Sequence, residues 1–150
     1  MRIAIASDHG GFPLYRSVME EVSRLGHEAV GVNPQETIQP NDDYPDYAVL
    51  IGEQIRIGRC ERGILVCGSG VGAAVAANKL IGIRAGLCHD TYSAHQGVEH
   101  DDINVLCLGA RVVGVELALE LVRAFVNAKF SGAERHRRRL EEIKKLEESR

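Results

Sequence analysis

Residues 62–67, RGILVC, are apolar without alternation and run straight into a glycine-rich turn, GSGVG, and an alanine-rich segment. A strand with one wet face alternates apolar and polar residues. A strand with no alternation is covered on both faces, as in a parallel sheet flanked by helices. The same unit recurs along the chain. RIAIA (2–6) precedes helical spacing from Phe12 to Leu25, with Leu14, Val18, Val22 and Leu25 on one face and Gly26 as a C-cap. HEAVGV is a second strand, and the polar stretch 33–44 is a loop. Pro45 suits a first helical turn, leading a helix to about Ile57. After RGILVC come a helix from Val71 to Leu80, the strand IRAGLC (83–88), a helix from Thr91 to Glu99, the strand NVLCLG (104–109) and a helix from Val115 to Lys129. The last segment, Glu134–Arg150, is helical and charged, with Leu140, Ile143 and Leu146 as a thin apolar stripe.

This alternation predicts an α/β fold: a single domain, 1–150, with a doubly wound, Rossmann-like parallel sheet of about five strands and helices on both faces. The first and third strands are expected to be neighbours. The final helix is too polar for a core, and its stripe suggests docking on a partner subunit. Ligands in such sheets sit beyond the carboxyl ends of the strands, which directs attention to 7–11, 67–72, 89–91 and 109–111.

Bulk properties narrow the function. The net charge of -3 does not favour nucleic acid as a partner. No apolar run reaches the roughly 20 residues of a membrane span, and MRIAIASDHGG is too short in apolar residues for a signal-peptide core. A cytoplasmic protein with reduced thiols is expected. Cys67, Cys88 and Cys107 fall near strand ends beside His89, but neither CxxC nor HExxH occurs, so they read as small buried hydrophobes and no metal site is expected.

The loop after RGILVC carries the most chemistry. Gly68-Ser69-Gly70-Val71-Gly72-Ala73 satisfies the dinucleotide pattern G-x-G-x-x-G/A, with Asp90 at the end of the next strand. Too little chain follows for a second mononucleotide half, and Ala73 stands where a C-x5-R phosphatase loop needs arginine. Two readings stay open from the residues alone. The glycines either give the backbone its turn, or free N–H groups at the helix start cradle an anion or an oxyanion. In the second case a thiol at Cys67 gains thiolate character, and its pKa is expected to fall. Asp8 and His9 follow the first strand and should overlook this loop. His100 and Asp101 end a helix, and an imidazole there suits proton transfer. Arg135 and Arg139 are four apart, one face of a helix, and form either an anion clamp or a solvated basic face.

The ordered set SDHGG, DYPDYA, ILVCGSGVG, AANK, GIRA, EHDDINVLCLG and RH-x-x-R spans nearly the whole chain and resembles the ribose-5-phosphate isomerase B family, which also contains the galactose-6-phosphate isomerase subunits. The resemblance implies a metal-independent aldose–ketose isomerase of a phosphorylated sugar with no cofactor. It also implies a homodimer or tetramer whose sites lie between subunits. Carried over by position, Cys67 resembles the base moving a proton between C1 and C2, His100 the acid/base that opens the ring, and Ser69 a catalytic hydroxyl where threonine is common. Asp8, His9, Gly68, Ser69, Gly70, Val71 and Gly72 resemble the binding residues around the reacting end. Arg111, Arg135 and Arg139 resemble the phosphate-binding arginines, with Tyr44 and His136 as adjacent candidates. The galactose-type subunits generally lack the cysteine, so Cys67 favours the ribose type; a hexose 6-phosphate or tetrose 4-phosphate isomerase is the alternative, and a nucleotide-binding module a more distant one. SGAERH stands where many members read GGRH, so the arginine correspondence takes in a one-residue insertion. Asp101 stands where the family has a substrate-contacting asparagine. An ionised aspartate donates no hydrogen bond and repels a nearby anion. Its contact is therefore a sugar hydroxyl, or the preferred sugar differs.

Overall fold

The structure is a computed structural model and describes residues 1–33 and 40–149. Part of the polar stretch 33–44, and Arg150, lie outside the described residues. The elements follow the expected alternation: β1 Arg2–Ser7, α1 Phe12–Arg24, β2 Glu28–Gly31, α2 Tyr44–Arg56, β3 Arg62–Cys67, α3 Val71–Ala77, β4 Ala85–Leu87, α4 Thr91–Asp101, β5 Val105–Gly109, α5 Val115–Asn127 and α6 Glu134–Glu148. All strand pairs are parallel, in the order β2-β1-β3-β5-β4. The first and third strands are neighbours, as the sequence predicts. Among the described residues, no helix is long and apolar enough to cross a membrane.

The last strand does not take an edge. β5 is buried at every position, whereas β4 is short and half-buried throughout. A strand apolar on both faces gains most from covering on both sides, so VLCLG goes inside and AGL takes the rim. Side chains alternate between two cores. Ile64, Val66, Leu106 and Leu108 meet α1, α4 and α5 through Val18, Val22, Val98, Leu121 and Phe125. Leu65, Cys67, Val105 and Cys107 meet α2 and α3 through Ala48, Ile51, Ala73 and Ala77. Cys67 therefore points to the α2/α3 layer by strand parity alone.

One charged group, Arg62 at the start of β3, fixes the end of α5. The Arg62 guanidinium donates to the carbonyls of Phe125 and Ala128 and lies over the Phe125 ring, 5.2 Å from its centroid. A cation there satisfies the orphan carbonyls at the end of α5 and complements its dipole, so the chain leaves α5 in a set direction towards α6. The first turn of α6 packs on α4 of its own chain through His136, and Glu147 near its end accepts from the Gly82 amide. Between them the stripe is incompletely covered: Ile143 and Leu146 are 37% and 66% exposed, beside a cleft of about 320 Å³ shared with Ile83, Arg84, Asp101 and Ile103.

Glu21 ties α1 to α5. It is buried and accepts from Arg24 and from Arg123. The Arg24 hydrogen bond lowers its pKa, burial opposes, and Arg123 adds to the lowering; the result is about 2 against an ordinary 4.5. A depressed carboxyl contributes stability that is complete above its unfolded pKa and is lost as pH falls towards the folded value. Glu21→Gln is expected to lower stability at neutral pH by about 1–2 kcal/mol, less than for a fully buried pair because both arginines are partly solvated. It is also expected to flatten the loss of stability between pH 4.5 and 2. Urea unfolding of both proteins across that range checks this, and parallel pH curves would contradict it.

Candidate active site

The ends of β1 and β3 meet because the two strands pair in parallel, with Ser7 opposite Val66. Asp8 and Cys67 are the next residue in each strand. Glycine lets the following loops close on one another: a Cβ on Gly11 would lie 2.1 Å from the Val66 carbonyl oxygen, and one on Gly10 would lie 2.8 Å from the Gly68 nitrogen. Asp8 is buried, and both of its carboxylate oxygens are engaged. Oδ1 accepts from the Gly11 amide at 2.8 Å, and Oδ2 accepts from Cys67 Sγ at 2.6 Å.

That contact corrects the expectation of a depressed thiol. Burial pushes the Cys67 pKa up, and the Asp8 carboxylate pushes it further, by accepting the thiol proton and by charge. The Gly68 and Gly70 amides pull the other way but do not win, and the value reaches about 11. The helix behind the loop is only seven residues long, and a carboxylate in direct contact outweighs its partial dipole.

The rest of the loop is laced to β5. The Ala110 amide donates to the Cys67 carbonyl at 2.8 Å and the Arg111 amide to that of Gly68 at 2.9 Å. Gly70 holds the left-handed conformation, φ +78°, that lets the chain turn into α3. Ser69 is exposed, its hydroxyl accepting from the Val71 amide at 3.3 Å. A methyl group on Gly68 would touch the Arg111 guanidinium at 3.4 Å, and one on Gly72 would strike the Tyr44 ring at 2.6 Å. Arg111 and Tyr44 thus both border the glycine turn. His9 faces it from β1, held by Asp42, which accepts from its backbone amide at 3.1 Å and from Nδ1 at 2.5 Å. Tyr47 Oη donates to the same carboxylate at 2.7 Å. Burial opposes ionisation of Asp42, but the bonds from His9 and Tyr47 outweigh it and its pKa lies below the usual value. An ionised carboxylate only accepts, so Nδ1 of His9 carries a proton and Nε2 is left for a ligand. Asp42 and Tyr47 are functional neighbours that the sequence reading does not single out. Their only signal is their place within and just before DYPDYA.

The remaining candidates lie elsewhere. His100 and Asp101 end α4, where Asp102 turns the chain at φ +47°. The His100 ring stacks on His136, with centroids 4.1 Å apart and planes at 29°, and Nδ1 meets Gln96 Nε2 at 2.8 Å. His136 is 2% exposed. Its Nδ1 meets Ser131 Oγ at 2.6 Å, and its Nε2 accepts from Arg135 Nε at 3.1 Å. Burial lowers its pKa, and the charges of His100, Arg135 and Arg139 add to the lowering. Arg135 and Arg139 are exposed beside it. This second cluster precedes β5, whose first residue pairs with Gly63, while Cys67 pairs with Gly109 at the other end. Four residues of strand, about 13 Å at ~3.3 Å per residue, separate the two levels. One chain brings Asp8, His9, Tyr44, Cys67, the 68–72 turn and Arg111 together. It gathers His100, Asp101, Arg135, His136 and Arg139 at the opposite edge. Among the described residues, no group of three or more His, Cys, Asp or Glu is placed to hold a metal ion.

Known proteins share this fold. Residues 3–143 match the family described as Ribose/Galactose Isomerase. The chain is 40% identical to ribose-5-phosphate isomerase B of Escherichia coli, over 99% of this chain and 98% of that protein. It is 39% identical to D-erythrulose-4-phosphate isomerase of Pectobacterium atrosepticum, over 88% and 86%. The structure of ribose-5-phosphate isomerase B from Clostridium thermocellum superposes with a TM-score of 0.93 at 40% identity, covering 99% of both chains. That of the Mycoplasma genitalium enzyme with bound ribulose-5-phosphate superposes at 0.91 and 37% identity, covering 99% of this chain and 97% of that one. With a family match over nearly its whole length and the same five-stranded fold, the chain belongs to the ribose/galactose isomerase family and is an isomerase.

Proposed function

We propose that this isomerase interconverts D-ribose 5-phosphate and D-ribulose 5-phosphate through an enediolate, with side chains alone carrying the proton transfers. The observation that carries this reading is the buried Cys67–Asp8 pair at the edge of a turn of backbone amides. Asp8 takes the Cys67 proton, and the thiolate removes the C2 proton of the opened aldose. The C–H electrons form the C1–C2 double bond and the carbonyl electrons move to O1; the proton then returns at C1 as the O2–H proton passes to O1 and the O2–H electrons form the C2 carbonyl. A thiolate whose conjugate acid has a pKa of about 11 is scarce but strongly basic. The turn from Gly68 through Ser69, Gly70 and Val71 to Gly72 supplies preorganised donors for the charge developing on oxygen. His9 Nε2 and the Ser69 hydroxyl hold sugar oxygens, and Tyr44 closes one wall. His100 opens the ring, Asp101 takes a sugar hydroxyl, and Arg111, Arg135 and Arg139 hold the phosphate.

The two clusters work together only across a subunit boundary. His100 sits at the wrong edge of its own sheet for its own Cys67, so the complete site joins Cys67 of one protomer to His100 of another in a homodimer, alone or within a tetramer. Val71, Val75 and Val112, exposed beside the Cys67 loop, suit such a contact, as does the half-covered stripe of α6. No membrane or nucleic-acid partner is required, and a cytoplasmic setting suits free cysteines. A tetrose 4-phosphate is the second candidate substrate, favoured by the 39% identity to the erythrulose-4-phosphate enzyme. Comparing kcat/KM over aldose phosphates of four to six carbons separates the two; turnover of none of them would refute the isomerase assignment.

Two further outcomes are expected. Asp8→Asn removes the charge that opposes thiolate formation, so the Cys67 pKa should fall by about one unit or more while turnover falls at least about tenfold. Ultraviolet thiolate titration against Cys67→Ala reads the first and ketose formation the second; an unchanged pKa would count against the pair. Mixing inactive Cys67→Ala with inactive His100→Asn, after dissociation and reassociation, should restore roughly a quarter of wild-type activity, because roughly half the dimers are mixed and each of those regains one of its two sites. No recovery would place both residues in one protomer's site.

A further inference from the structure

His136 has the least exposed side chain of the second cluster and yet touches most of it. Arginine Nε only donates, so His136 Nε2 must offer its lone pair to Arg135. The single proton of the neutral ring is therefore on Nδ1 and is donated to Ser131 Oγ. Ser131 is in turn fixed to α4, since its backbone amide donates to the Glu99 carbonyl at 2.9 Å, one residue before His100. The contacts close a ring: the Glu99–His100 backbone holds Ser131, Ser131 holds His136, and the His136 face lies on the His100 face at 4.1 Å. Arg135 hangs from this ring by Nε alone. Its two terminal amino groups make no hydrogen bond among the described residues, which leaves a two-pronged donor. A protonated His136 could not accept from Arg135, so the arrangement requires the neutral ring.

We propose that His136 is a positioning residue serving both functions of its cluster, orienting His100 through ring stacking and Arg135 through an accepted hydrogen bond, without itself touching the sugar. This rests on the isomerase reading above and adds to it one buried side chain that sets both the acid/base and the phosphate clamp. The two roles use different parts of the ring, its face and its Nε2 lone pair, and so can be separated chemically. Phenylalanine keeps a flat ring against His100 and loses the acceptor. Glutamine places an amide oxygen near the position of Nε2 and loses the ring.

The experiment uses the full-length protein and the sugar phosphate that the wild type turns over best. His136→Phe is expected to raise KM about tenfold, the loss of one charge-assisted bond to the phosphate-binding arginine, with kcat within about twofold. Its affinity for inorganic phosphate should fall in parallel. His136→Gln is expected to lower kcat about tenfold with KM within about threefold. The displaced NMR resonance that a stacked neighbour gives the His100 ring protons should persist in His136→Phe and vanish in His136→Gln. A purely structural role would lower kcat and raise KM together in both variants, in step with the loss of thermal stability, and that result would overturn the proposal, as would wild-type kinetics in both. Failure of the wild type to isomerise any aldose phosphate would overturn the isomerase reading and this inference with it. Turnover by the wild type with unsplit variants would overturn this inference alone.

Discussion

The thiol of Cys67 and the carboxylate of Asp8 are held in contact by the pairing of two parallel strands. β1 and β3 are in a register that puts Ser7 opposite Val66, so the next residue of each strand leaves the sheet at the same level. A one-residue slip would turn Cys67 to the opposite core and separate the pair. The glycine turns at 10–11 and 68–72 then let both loops fold over the pair. The burial that raises the Cys67 pKa is therefore a consequence of strand register rather than of any one neighbour.

The same topology keeps the two clusters of candidate residues apart in one protomer. A parallel sheet places the residues that follow β1, β3 and β5 at its carboxyl edge, and Asp8, Cys67 and Arg111 are of that kind. His100 instead ends the helix leading into β5, and a helix that returns antiparallel to the strands ends at their amino edge. No adjustment of loops crosses a sheet. The fold thus supplies two separate clusters, and in the proposed dimer a two-fold axis would repeat each contact and complete two sites at once.

Much of this was legible in the residues. RGILVC and NVLCLG predict covered strands because they do not alternate, and Gly26 and Pro45 mark helix boundaries through backbone constraints independent of tertiary context. Two things were not legible. The place of β5 between β3 and β4 depends on the relative burial of two short apolar strands, which their composition barely distinguishes. The ionisation of Cys67 depends on a partner 59 residues away. Local sequence shows the helix start that favours a thiolate, and only the fold shows the carboxylate that opposes it.

A common construction runs through both clusters. His9 is oriented by Asp42, Cys67 by Asp8, and Arg135 by His136. In each case a less exposed neighbour satisfies one polar atom of the outer residue. A free histidine, thiol or arginine has several rotamers and would pay their entropy on binding a ligand; a residue already tied at one atom pays less. Asp42 and Asp8 lie 33 and 59 residues from the residues they hold, whereas His136 adjoins Arg135 within RH-x-x-R. Two of these pairings therefore become visible only when the sheet brings distant segments together; in the third the partners are adjacent, and what the fold adds is the burial of His136 against the His100 ring.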